Sequence, residues 1–347
     1  MAREAWGGLP IKMLRGEIDP SHTLHVTAVS ADGRWALGQL WQRRDPRTEN
    51  GTVVLIDISS QSRQVLHIMP SPAHQAGLAD TDGRWFVWQE SSQQPNFGDW
   101  TLYAFDRESG KLHELARAPE PPPGRQLGSS IWPQVDHGVA LWAQEVPDST
   151  DLRWGNIISK QLPDGPQQVL ATRARGVVIS WPYAAWAEER PGSNGGTILI
   201  RYNLETGQRT ALSRAVDPVY ATIAGESTAW VANWNELWLA DTPDGPKRLV
   251  ARALAGEGFI QFPRLGSRLI GWENTARPAM FDRVLDRLVL VDEPAAAGTV
   301  WNFRVKGDTA WWAIPSRDPK ALEAARVSGL PATSDYAVLD SSTLRSR

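Results

Sequence analysis

The sequence of 347 residues carries a formal net charge of −3, with 41% hydrophobic and 22% charged residues and no cysteine. That composition suits a chain with a large buried core. It excludes the basic footprint of a nucleic-acid binder, an apolar run near the roughly 20 residues that cross a bilayer, and any chemistry that needs a thiol, including disulfides and cysteine-ligated metals. The opening MAREAWGGLPIKML lacks a signal peptide's apolar core, which fits a cytoplasmic protein or the mature form of an exported one. Eighteen tryptophans are the compositional outlier, and their spacing organises the chain.

In chain order, a β-capable segment IKMLRGEI (11–18) precedes a series of self-similar units. The first, about 22–68, contains ADGRWALGQL; the second, about 74–118, TDGRWFVWQE; the third, about 129–172, VDHGVALWAQE; the fourth, about 176–214, WPYAAWAEE. AGESTAWVAN marks the fifth (about 218–251), LGSRLIGWEN the sixth (about 258–293) and VKGDTAWWAI the seventh (about 298–347). One aligned position runs through Gly38, Trp88, Trp142, Trp186, Trp230, Trp272 and Trp311 or Trp312, at steps of 50, 54, 44, 44, 42 and about 40 residues. Such periods belong to propeller blades.

Each unit reads as four short strands. An apolar first strand (IWPQV, VVISW, FIQFPRL, VWNFRV) leads through a tight turn such as ADGR, TDGR or VDHG into a second strand that carries the aligned tryptophan. A β-rich third strand (GTVVLIDI, WTLYAFD, GTILIRYNL, NELWLAD) follows, and Gly-containing turns (ESGK, PDGP, ETGQ) join it to a short fourth (RQVLHI, LHELARA, QQVLATR, KRLVAR). EPAAAG is a poor fourth strand for the sixth unit, and the only expected helix is DPKALEAARVSG (318–329), inside the seventh. The last unit ends on its third strand. Residues 11–18 are therefore expected to supply the missing outer strand and close the ring. The expected fold is one all-β domain over 1–347, a seven-bladed β-propeller of four-stranded antiparallel blades, with six blades as the alternative.

The repeated S-x-DGRW and h-x-W-x-E motifs, followed by x-L-x-x-G, resemble the TolB-like and related Trp-rich bacterial propeller repeats over about residues 11–347. This resemblance implies the fold and an extracytoplasmic, interaction-type role. TolB's N-terminal α/β domain has no counterpart here, so its partner interactions are not implied.

In a propeller, the loops joining second to third strands and blade to blade leave on one face. Here those loops are long and irregular, which makes that face and the channel mouth the expected binding surface. Two residue sets stand out there. Glu90, Glu145, Glu188, Glu189 and Glu273 close second strands; converging, they would hold a cation or basic ligand or carry out glycoside acid/base chemistry, and dispersed, they would pair with arginines such as Arg43, Arg44, Arg190 or Arg277. Trp132, Trp181, Phe262 and Trp301 fall in or near innermost strands, while Trp41, Trp100, Trp154 and Trp234 lie in or beside long loops; exposed indoles are stacking platforms for a sugar or apolar peptide. The histidines show no metal-ligand spacing, and no nucleotide loop or nucleophile elbow occurs. No catalytic residue, metal or cofactor is expected. The leading expectation is a monomeric binding or scaffolding propeller for a protein, peptide or glycan, and the rival is a carbohydrate-active hydrolase or lyase. Convergent carboxylates with a perturbed pKa would favour the enzyme; carboxylates that point apart and pair with arginine would favour the scaffold.

Overall fold

A computed structural model of the chain describes all but residues 1, 7–9, 20–21, 43–50, 72–73, 93–97, 121–130, 147–153, 191, 193–195, 213–217, 254–257, 276–278, 292–301, 317–332 and 346–347. Within those bounds the chain is all-β apart from a helix at Ala2–Trp6 and a final 3-10 turn. The strands form six antiparallel sheets, most of them four-stranded. Alternating burial along the strands and Gly-rich turns between them follow the sequence pattern.

The first unit comprises His22–Val29, Trp35–Gln42, Thr52–Asp57 and Arg63–Ile68, and the second His74–Thr81, Trp85–Ser92, Thr101–Asp106 and Lys111–Arg117. The expected fourth and first strands of units three and four merge into one continuous strand, Gln167–Ser180, which pairs with Gly155–Gln161 on one side and Tyr183–Glu189 on the other. Those two units therefore share a seven-stranded sheet, and no loop separates them. The fifth unit is Tyr220–Ala224, Ser227–Ala232, Glu236–Ala240 and Lys247–Arg252.

In the sixth unit the strands after Gly258–Leu265 and Leu269–Thr275 are Ala279–Asp282 and Arg287–Leu290. This corrects the expectation that EPAAAG forms the fourth. Asp282 folds the chain back early by accepting hydrogen bonds from the Val284 and Leu285 amides at 2.9 and 3.1 Å. The segment 11–18 also divides: Ile11–Arg15 pairs with the last strand, Thr333–Asp340, whereas Glu17–Asp19 pairs with His22–Val29. The expected helix at 318–329 lies outside the described residues.

Two local devices explain the repeated motif. In DGRW, Asp82 Oδ1 accepts from the Arg84 and Trp85 amides at 3.0 and 2.7 Å, while Gly83 adopts a φ of 92° that residues with a side chain avoid. The turn arginine then reaches the acid ending the third strand, Arg84 with Asp106 at 3.0 Å and, in the sixth unit, Arg268 with Asp282 at 2.9 Å.

Among the described residues the core is divided among seven clusters, six spanning two consecutive units and one joining the seventh to the first. Trp88 packs on Leu37 and Leu55 of the first unit, Trp142 on Val87 and Leu102 of the second, and Trp186 on Leu141 and Ile157 of the third. Trp230, Trp272 and Trp312 repeat this at the next three contacts. Between the seventh unit and the first, Trp311 joins Leu24, Val26 and Ile56, so the adjacent tryptophans of the seventh unit serve two different contacts. Gly38 cannot carry the aligned indole: a Cβ there would lie 2.6 Å from Leu24 Cδ1 and 2.9 Å from the His25 carbonyl oxygen. The helix Ala2–Trp6 seals the sixth contact, with Trp6 Nε1 donating to the fully buried Asp282 at 2.7 Å.

Trp186 is fully buried whereas Trp234 is 44% exposed. Trp186→Ala is expected to cost roughly 3–5 kcal/mol as a core truncation, and Trp234→Ala well under about 1 kcal/mol. Guanidinium unfolding of the two variants checks the assignment, which equal losses would reject.

Candidate functional site

The innermost strands of all the units border one central cavity of about 430 Å³. Its rim is made by the turns between first and second strands, through Ala31, Asp82, Asp136, Gly225, Ser267 and Gly307. The cavity thus opens on the face of tight turns, opposite to the loop-rich face that the sequence favoured. Below the rim, Trp132 of the third unit touches Phe262 of the sixth, with ring centroids 5.0 Å apart, and lies beneath the Arg264 guanidinium at 4.1 Å. Large side chains from distant units meet there because the first strands of all the units border the same cavity.

Four cations line this cavity, and three are engaged by protein acceptors. Lys306 Nζ donates to Asp80 at 2.8 Å and to the Val135 carbonyl at 3.1 Å. Arg304 donates to Glu273 Oε1 at 2.7 Å and to the Thr27 carbonyl at 2.8 Å. Arg283 contacts Ser227 at 2.6 Å and Asp241 at 3.0 Å. Arg264 is the fourth. Burial pushes it down to about 10, with Glu273 and Asp80 acting in the opposite sense. Burial and the charge of Arg304 together push His25 down to about 4.

Of the expected site residues that are described, only Trp132 lines the cavity. Trp181 sits in the turn after Ser180, its ring 5.7 Å from His137 and its amide donating to Asp136 at 2.8 Å; it belongs to the turn face, held there by the preceding unit's acid. Trp234 packs edge-on against Tyr220 at 5.6 Å, and Tyr220 meets Phe262 at 4.5 Å. A line of aromatic contacts therefore runs from the cavity floor to an exposed indole on the loop-rich side. The Trp41 side chain and Trp301 lie outside the described residues, and Trp100 and Trp154 are buried core.

The carboxylates occupy separate places. Glu188 accepts from Trp186 Nε1 at 2.7 Å and pairs with Arg209; Glu189 pairs with Arg173, and Glu273 with Arg304. Glu145 ends its strand opposite Gly155. Glu90 is nearly fully buried, and burial pushes its carboxyl up to about 7. His67 Nε2 stands 3.1 Å from it, but burial lowers the imidazole's pKa, so the neutral ring gives little charge compensation. Among the described residues no group of three or more His, Asp or Glu could hold a metal ion.

Sequence reasoning passed over Arg264, Arg304 and Lys306. For the two arginines the signal was present: FIQFPRL and VWNFRV each place one inside a strand otherwise read as apolar.

No family model and no curated protein matches the sequence. Solved structures do match in fold. A prolyl endopeptidase superposes with a TM-score of 0.57 at 12% identity over 85% of this chain and 46% of its own. The acylaminoacyl peptidase of Pyrococcus horikoshii gives 0.55 at 11% over 85% and 51%, and BamB from Moraxella catarrhalis 0.50 at 12% over 91% and 85%. The chain is propeller-like. It spans about half the length of the two peptidases, and identities this low concern the fold alone.

Glu90 sets a pH dependence. Its folded pKa of about 7 exceeds the ordinary 4.5, so the folded state holds the proton more tightly and stability falls as pH rises from 4.5 to about 7, levelling off above. Glu90→Gln is expected to gain stability over the parent as pH rises from 4.5 to about 7, read from urea midpoints; a constant difference would reject the assignment.

Proposed function

We propose that the chain is a seven-bladed propeller of the TolB-like kind, its ring closed by Ile11–Arg15 on the last blade, that acts as a monomeric, non-catalytic binding module for a protein or peptide. The observation that carries this reading is the aromatic line from Trp132 through Phe262 and Tyr220 to exposed Trp234. With Phe259 also 55% exposed at the same end of the sixth unit's inner strand, it offers a partner rigid apolar surface at the loop-rich side. Phe259 and Trp234 are linked through the backbone, since the Ile260 amide donates to the Trp234 carbonyl at 3.0 Å. The separate pairing of Glu188, Glu189 and Glu273 with arginines supports binding over catalysis, because each of these carboxylates is neutralised in a different place. An extracytoplasmic setting, implied by the TolB-like repeats, accompanies this role.

The competing hydrolase reading draws on Glu90, whose raised pKa suits a general acid. Both are tested together. Peptides selected on a random array are expected to lose about tenfold or more in affinity with Trp234→Ala at an unchanged unfolding midpoint, with nothing released from a panel of polysaccharides. Sugar release that disappears in Glu90→Gln would overturn the binding reading in favour of the enzyme.

A further inference from the structure

Arg264 brings to the cavity wall a guanidinium that no acceptor among the described residues engages. A guanidinium carries five N–H donors and is costly to bury without acceptors. Its three cationic neighbours around the cavity donate to side chains and carbonyls, yet Arg264 has no hydrogen bond and no ion pair among the described residues and rests only on the face of Trp132. The acids closest in effect, Glu273 and Asp80, are already engaged by Arg304 and Lys306. The guanidinium lies against the indole and lines the cavity, and the N–H edge of such a group is the part that makes paired hydrogen bonds to a planar partner.

We infer that the central cavity is a binding site for a carboxylate, gripped by the edge of Arg264 above Trp132 and reached from the face of tight turns. The site is distinct from the aromatic surface at the loop-rich end. Charge selects the ligand. Among the described residues Lys306, Arg304 and Arg283 each face a carboxylate, leaving one cationic charge at the floor, whereas Asp82 and Asp136 add negative charge at the rim. A monoanion satisfies the floor, while a phosphate dianion meets repulsion from the rim. The rim acids are fixed, Asp82 Oδ2 accepting from the Gly138 amide at 2.9 Å and Asp136 Oδ2 from the Trp181 amide at 2.8 Å, so they do not swing down to neutralise Arg264. A volume of about 430 Å³ takes a carboxylate together with the small group that bears it.

The test is a titration of the full-length, 15N-labelled protein with sodium acetate, followed on the arginine Nε–Hε resonances, with sodium chloride at matched ionic strength, sodium phosphate and neutral acetamide as comparisons. One guanidinium signal is expected to shift saturably with acetate, to move little with phosphate or chloride and not at all with acetamide. Arg264→Lys, which keeps the charge, assigns the signal by removing it and is expected to weaken acetate binding, read from the Trp fluorescence change, by about tenfold. Arg264→Met is expected to abolish binding. Absence of a saturable shift in the parent protein, an equal response to chloride, or unchanged acetate binding in Arg264→Lys would each overturn the site, and the first two need no variant to fold. Peptide capture at Trp234 is measured separately, so either result stands without the other.

Discussion

Each unit after the first sends a large side chain from its second strand into the gap against the unit before it, and the remainder of the fold depends on that contact. Twisted sheets set side by side around an axis leave a wedge that widens outward, and an indole fills it at close-packed density. Trp88, Trp142 and Trp186 are fully buried in this role, and Trp312 nearly so. The contact between the seventh and first units tests the rule, because backbone crowding at Gly38 leaves no room for an indole there. The wedge is filled from the other side by Trp311, with Leu14 and Tyr336 beside it. The same physical demand is met by a different residue.

The wedge contacts hold the outer strands apart and bring the inner ones together, which places charged residues at the axis. Side chains of the inner strands that line the cavity meet partners from units far away in sequence. Lys306 bridges to Asp80 and to the Val135 carbonyl, and Arg304 to Thr27. These contacts tie the seventh unit to the first three. At the periphery, Arg268 joins Asp282 to the Leu344 carbonyl at 2.6 Å, and Trp6 enters the same network. Both chain ends are thereby anchored on the sixth unit. Buried pairs of this type are strongly destabilising when one partner is lost, because the other is left charged without compensation.

Much of the fold was legible because it is built from local rules. DGRW announces a turn in which an aspartate caps two amides, and the aligned tryptophan announces a second strand; both follow from hydrogen bonding and periodicity within a few residues. The sixth unit escaped because AMFD is a short strand inside what reads as a loop, and the capping by Asp282 that ends it is visible only once the strand is placed. The junction of the third and fourth units escaped for a related reason: Gly176, with a φ of 66°, reads as a turn, yet it sits in an irregularity between Arg175 and Val178, beyond which the strand resumes its pairing.

The candidate site was the least legible part. Sequence alone determined that the chain is a series of β units with buried tryptophans, since alternation and turn chemistry are properties of neighbouring residues. It also determined which residues end the second strands, among them the glutamates. Only the tertiary structure decided that Glu188, Glu189 and Glu273 stand apart with separate arginine partners, that Trp181 faces the turns, and that Arg264, Arg304 and Lys306 line a common cavity with Trp132. The physical reason is that convergence at an axis joins side chains hundreds of residues apart, and a period in the sequence fixes the spacing of the units without fixing which of their charges meet.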